Sequence, residues 1–190
     1  LYESSNKWVG LIYCWMEIYN QGVVQKRNCP KYQGSIFKEM LDKNAITNSS
    51  TLLIPVDILE SVDGFDESLK RGVDSDLIRR IAKDYHVNYV PEVLVKYNVG
   101  HEYQRVSSED CAGLRDAIDS ARMKFKKFPD SFNKYQDTKA NNLAYIGHNY
   151  ILLKEYKKGL EYFYQAIRED SKSLTVYKWI GRAIRNTVFK

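Results

Sequence analysis

The sequence has no apolar run approaching the ~20 residues that span a bilayer, and its N-terminus lacks the basic-then-apolar order of a secretory signal. Both absences point to a soluble, intracellular chain. Cysteine is sparse: Cys14, Cys29 and Cys111 are odd in number, widely spaced and without histidine companions at metal-ligand spacing. That pattern argues against a disulfide scaffold or a zinc module and for reduced, structural thiols. Charge of one sign is not concentrated either. The formal net charge of +5 comes from 29 basic and 24 acidic residues, and the excess gathers only around Lys124, Lys126 and Lys127 and near the C-terminus. The aromatic-interleaved basic stripe of a nucleic-acid reader is missing, so nucleic acid is set aside as a partner. A weak preference for anionic membrane surfaces or diphosphate ligands fits the surplus. The initiator methionine is also lacking: the chain opens on Leu1, in a stretch through Lys7 without tag or targeting character, so the gene product is expected to extend upstream.

What is present is enough apolar matter for one ordinary core or two small ones, since 44% of the 190 residues are hydrophobic and 13% aromatic. Trp8 to Tyr19, WVGLIYCWMEIY, is rich in aromatic and branched residues and predicts a strand, broken by Gly22 and the Asn28-Cys29-Pro30 cluster. A short helix is expected around Ile36 to Leu41, then a strand over Ile46 to Ile54, where Ser and Thr mix with branched residues. Pro55 opens a helix over Val56 to Val62, which Asp63-Gly64 ends with a turn. Phe65, Asp66 and Glu67 follow in a loop. Asp74-Ser75-Asp76 then precedes Leu77, Ile78, Ile81 and Ala82, the spacing of an amphipathic helix with an acidic first turn. Val87 to Val95 predicts an extended segment interrupted by Pro91.

From about Ser108 Gly and Pro become scarce, strand signals vanish and apolar residues recur at helical spacing. Within this part Tyr145-Ile146-Gly147 returns as Trp179-Ile180-Gly181, 34 residues on, the period of a tetratricopeptide unit. Leu143, Gly147, Tyr150, Phe163 and Ala166 stand where such a repeat packs, while Gly159 replaces the usual Ala and Ser171 the usual Pro. About one and a half units are present where about three are generally needed for stability, so this tail is expected to dock on the preceding domain or on a partner. Gly147 and Gly181 are both expected at close helix contacts.

The segment from Asn48 to Tyr97 resembles the C-terminal half of family 2 glycosyltransferases. The likeness lies in an ordered series: a Ser-rich strand, a helix, Gly64-Phe65-Asp66-Glu67, Asp74-x-Asp76-Leu77 with Arg80, then Pro91-Glu92-x-Leu94 running to Tyr97. The resemblance implies an α/β fold, part of a Rossmann-like nucleotide-diphosphosugar domain over residues 1–107, to which the residue patterns above add a helical connector over 108–139 and an all-α, repeat-like tail over 140–190. It implies the acceptor-binding side of the domain, with the donor and a divalent cation, Mn or Mg, held mostly by an N-terminal half that this chain does not contain.

Asp74-Ser75-Asp76 looks like a metal-binding Asp-x-Asp. Such a motif needs a buried strand to aim both carboxylates at a cation, however, and this one follows Lys70-Arg71-Gly72-Val73 and opens a helix. By resemblance it matches the catalytic-base segment, with Val73 where the family commonly has Glu. Asp74 is then the carboxylate that accepts the acceptor hydroxyl's proton in an inverting transfer; local spacing alone reads it as a helix N-cap, and both roles are compatible. Phe65, Asp66 and Glu67 would face the acceptor, or else form a turn with Phe65 plugging the core. Arg80 is a substrate candidate that can equally pair with a neighbouring carboxylate, and Asp76 is expected to steady the first helical turn. His101 is the metal candidate and Arg105 a diphosphate candidate. The Gln104-Arg105 pair lacks the Trp of the processive Gln-x-x-Arg-Trp segment, which favours single additions. The implied partners are a nucleotide-diphosphate sugar and a glycan or lipid-linked acceptor, in a cytoplasmic protein that can sit at the inner face of the membrane. A non-catalytic interaction module using the helical tail is the competing reading.

Overall fold

The computed structural model describes residues 8–46, 48–99 and 110–188. Their contacts divide the chain into two units. Unit 1 takes Leu1–Ser68 and Val73–Gln104, and unit 2 takes Leu69–Gly72 and Arg105–Lys190.

In unit 1 the first strand, β1 (Val9–Asn20), turns back through Gln21-Gly22 into β2 (Val23–Asn28). Both turn residues have positive φ, 48° and 80°, as a two-residue hairpin loop requires to match strand twist. β2 is not legible in the sequence, where Gly22 marks only a break, because VVQKRN is exposed except at half-buried Asn28 and alternates nothing into a core. Helix α1 (Phe37–Lys43) follows. The strand expected over Ile46 to Ile54 reduces to a 3₁₀ turn at Ser49–Thr51 and a two-residue β3 (Leu52–Leu53). The serines find better partners for their backbone in a local turn than in a ladder. Helix α2 (Val56–Ser61), helix α3 (Val73–Asp84) and strand β4 (His86–Asn98) complete the unit.

β1 organises the mixed sheet. β2 and β3 pair with it antiparallel, and β4 runs parallel to it along Val9 to Tyr19. β4 does not break at Pro91 as expected; the register jumps from Cys14–Val90 to Trp15–Val93. The bulge absorbs Pro91, which has no N–H to give to a ladder. The apolar faces of α1 and α3 close on the sheet around Leu11, Tyr13, Ile36, Met40, Leu77, Ile78, Ile81 and Val87. Gly10 lets α3 come this near: a Cβ there would lie 2.5 Å from Tyr85 Cβ. The Tyr13 hydroxyl is buried, donates to Tyr32 O at 3.0 Å and accepts from Tyr32 N at 2.9 Å, and burial pushes its pKa up to about 12.

From Cys111 onward the described residues of unit 2 form helices: α4 (Cys111–Lys127), α5 (Pro129–Lys134), α6 (Gln136–Leu152), α7 (Tyr156–Glu169) and α8 (Leu174–Val188). Asp110 caps α4 by accepting from Gly113 N at 2.7 Å, and Pro129 opens α5. α6 is the central element, buried nearly all round. α7 covers Gly147, where a Cβ would meet Gly159 O at 2.9 Å. α8 lies against α6 through Trp179, whose Nε1 donates to Asn141 Oδ1 at 2.8 Å and whose ring meets Tyr145 edge-on. Buried Lys124 of α4 donates to Asn142 Oδ1 at 2.7 Å. The expected packing positions Leu143, Gly147, Tyr150, Phe163 and Ala166 are all buried. Glycine at 159 has a local cause, since a Cβ there would strike Ile151 Cδ1 at 2.6 Å. Gly181 corrects the expectation: it is exposed, with nothing within 4 Å of its would-be Cβ.

Candidate functional site

The residues singled out for chemistry fall into two networks on α3. Asp74 is half-buried within the first turn of α3, not its cap, because the helix already begins at Val73. Its Oδ2 accepts from Ser49 N at 2.8 Å, a bond spanning 25 residues of sequence. The Ser49 turn is itself fixed: Asn48 Oδ1 accepts from Ser50 N at 3.0 Å and Asn48 Nδ2 reaches Met16 Sδ at 3.2 Å. Asn48 holds φ at 115°, a costly conformation for a side-chain-bearing residue, and such strain concentrates where structure serves a site. One carboxylate oxygen of Asp74 is thus oriented by a backbone N–H, while Oδ1 has no hydrogen-bond partner among the described residues.

The second network centres on Arg80. Its Nε donates to Asp76 Oδ2 at 2.9 Å, Nη2 to Gly64 O at 2.6 Å and Nη1 to Val62 O. Those carbonyls belong to the C-terminal turn of α2, where Gly64 N donates to Leu59 O and Asp63 N to Glu60 O, with Asp63 at φ 58°. This paired 6→1 and 5→2 closure ends the helix. Arg80 therefore clamps the entry to the Phe65–Glu67 loop onto α3. Asp76, expected to steady a helical turn, is an ion-pair partner with its side chain 2% exposed. Arg79 next door is buried as well, its Nη1 donating to Asn44 Oδ1 at 2.6 Å, and burial pulls its pKa down to about 10.

In the loop itself Asp66 Oδ1 accepts from Ser68 N at 2.9 Å and Ser68 Oγ at 2.6 Å, the Asx-turn bonds that fix its shape. Phe65 does not plug the core, since it is 46% exposed. Glu67 is exposed. The loop thus presents an aromatic ring and carboxylates to solvent on a constrained backbone. His101 and Arg105 lie outside the described residues, and among the described residues no three His, Cys, Asp or Glu side chains gather into a cation site. No described helix is long and apolar enough to cross a membrane.

The hold of Ser49 N on Asp74, with Asn48 shaping the turn, is not legible from the strand pattern of Ile46 to Ile54. The signal that points to it is the Asn-Ser-Ser string, a turn-forming composition within that apparent strand.

Comparison with known proteins adds one relationship. The chain is 28% identical over 101 residues to an uncharacterized glycosyltransferase of Methanocaldococcus jannaschii, covering 52% of this chain and 34% of that protein. The chain is therefore distantly related to a glycosyltransferase and spans about a third of the length of that relative. No protein-family model and no solved structure matches it.

Proposed function

We propose that this chain is the acceptor side of a family 2-like glycosyltransferase. The enzyme moves a sugar from a nucleotide-diphosphate donor to an acceptor hydroxyl, with inversion and one addition at a time, in glycan or surface-polysaccharide assembly. The observation that carries the reading is the Asp74 carboxylate, oriented by Ser49 N through Oδ2 and without a partner on Oδ1 among the described residues, in a chain distantly related to a glycosyltransferase.

In this reading the acceptor oxygen attacks the anomeric carbon, the bond to the diphosphate breaks, and the hydroxyl proton passes to Asp74 Oδ1. Ser49 N keeps the carboxylate aimed. Phe65, Asp66 and Glu67 line the acceptor, and Arg80 acts by fixing that loop rather than by touching sugar. His101 and Arg105 are assigned to the cation and diphosphate side. A divalent cation, Mn or Mg, is assigned mostly to an N-terminal half of the domain, as the family resemblance implies. The partners are the donor and a glycan or lipid-linked acceptor, reached from the cytoplasm at the membrane face, with the 140–190 helices as a tetratricopeptide-like tail.

Asp74→Asn in the full-length protein tests this. Asn can still accept from Ser49 N, so the fold should persist, while turnover falls by about 10²- to 10⁴-fold, or about 3–5 kcal/mol of barrier. Turnover near wild type would remove Asp74 as the base. A second reading, a non-catalytic interaction module, draws on the apolar residues that unit 2 leaves exposed, Tyr156, Leu160 and Tyr164 on α7 and Leu174, Tyr177 and Ile184 on α8.

A further inference from the structure

α6 and α8 carry the same pattern 34 residues apart, and their surroundings differ in one respect. Ala140, Leu143, Gly147 and Tyr150 form a buried face of α6. α7 covers it: Gly147 meets Gly159 O and Phe163, Tyr150 stacks on Tyr162 with centroids 5.6 Å apart, and Ala140 and Leu143 share a cluster with Phe163 and Ala166. The same offset on α8 gives Leu174, Tyr177, Gly181 and Ile184. The three side chains there are 75%, 47% and 56% exposed, and Gly181 opens on empty space. The opposite face of α8, Val176, Trp179 and Ala183, is the one that packs within unit 2.

The exposed face therefore has the apolar content and the central small residue of a helix-crossing site, with no helix on it among the described residues. Its edge differs from the α6 template in charge. Lys178 stands at the position of Ala144, and Arg185 at that of Ile151, the residue against which Gly159 of α7 rests. α8 contains no acidic residue.

We infer that this face of α8 docks an acidic amphipathic helix from a partner protein, laid down as α7 lies on α6. A small residue of that helix crosses Gly181, an aromatic residue four positions later fills the place Phe163 takes beside Gly147, and carboxylates meet Lys178 and Arg185. Charge complementarity selects this occupant, since α7 itself carries Lys157 and Lys158 and the α6 face it covers offers Ala144 and Ile151 instead of cations. An anionic membrane would match the charge, but it gives no reason for a glycine amid the apolar residues, whereas close helix crossing does. The inference is independent of the glycosyl-transfer reading.

The probe is a synthetic peptide of residues 155–169 carrying Lys157→Glu and Lys158→Glu, titrated by fluorescence anisotropy against the full-length protein. Saturable binding is expected. Gly181→Leu, which adds bulk at the crossing point on an exposed helical position, should weaken it by about tenfold or more, and Lys178→Glu with Arg185→Glu by a similar factor. Circular dichroism of each variant should match wild type. Absence of saturable binding overturns the proposal, as would occur if another part of the same polypeptide already covers the face. Binding indifferent to Gly181→Leu overturns it too, since the peptide would then be replacing α7 on α6 or binding elsewhere. If vesicles of phosphatidylcholine and phosphatidylserine bind and Gly181→Leu tightens them while the peptide fails, the face is a membrane surface.

Discussion

Replacing Arg80 by Met should damage unit 1 far more than a surface arginine would. The substitution keeps most of the stem's apolar volume and removes three donors: those to Asp76, Val62 O and Gly64 O. The larger consequence is at the Asp76 carboxylate, 2% exposed, which loses its salt bridge to Arg80. Breaking a buried ion pair by removing one partner costs about 3–5 kcal/mol. Arg80 keeps 19% of its own side chain in water, so water can reach part of the vacated site and the expected loss is near the lower end, about 3 kcal/mol. Against a domain stability of about 5–15 kcal/mol that is a large fraction. Asp76→Asn should cost about 1–3 kcal/mol rather than the few tenths of a helix-dipole contact, and the double variant should show about 1–3 kcal/mol of coupling. Urea unfolding followed by tryptophan emission measures this. Trp8 and Trp15 lie in unit 1 and Trp179 in unit 2, so a Trp179→Phe background isolates the unit of interest. With a slope of about 1.5 kcal/mol/M, the midpoint should fall by about 2 M. A loss under about 1 kcal/mol for Arg80→Met, or additive single and double variants, would refute the clamp.

Three further outcomes follow from named contacts. Gly147→Ala should destabilise unit 2 by about 1–3 kcal/mol, because its Cβ would sit 2.9 Å from Gly159 O, whereas Gly181→Ala, with open space around it, should stabilise by about 0.5–1 kcal/mol; thermal melts that rank them the other way would undo the packing assignment. Gly10→Ala should cost unit 1 stability through Tyr85 Cβ at 2.5 Å, read by the same urea titration as a lowered midpoint. The Tyr19 hydroxyl donating to Glu17 at 2.5 Å, and then Arg27 at 2.7 Å, hold the Glu17 carboxyl below its usual range. A depressed carboxylate pKa stabilises above the unfolded value of about 4.5 and ceases to as pH falls through the folded value, so Glu17→Gln should flatten the acid side of the stability profile. An unchanged acid limb would contradict it.

By itself the sequence determined the elements whose signals are local. The apolar spacing of Leu77, Ile78, Ile81 and Ala82 yields α3, the Trp8–Tyr19 run yields β1, Asp63-Gly64 ends α2, and the loss of Gly and Pro after Ser108 marks the helical part. Each rests on backbone preference and periodicity, which neighbours in sequence suffice to set. It also pointed to Asp74, and to Arg80 with a neighbouring carboxylate as one option, which is the Asp76 pair, but not to what holds Asp74. Only the tertiary structure decided that Asp74 is held by Ser49 N, 25 residues away, and that Arg80 reaches the Val62 and Gly64 carbonyls, 18 and 16 residues away. It likewise decided that Pro91 rides through a continuous β4 in a bulge, and that exposed VVQKRN becomes a strand because β1 offers it an edge. The two glycines 34 residues apart make the point most simply. Their flanking sequences are alike, yet one is buried and one open, because burial is a property of what lies opposite, and α7 lies opposite only Gly147.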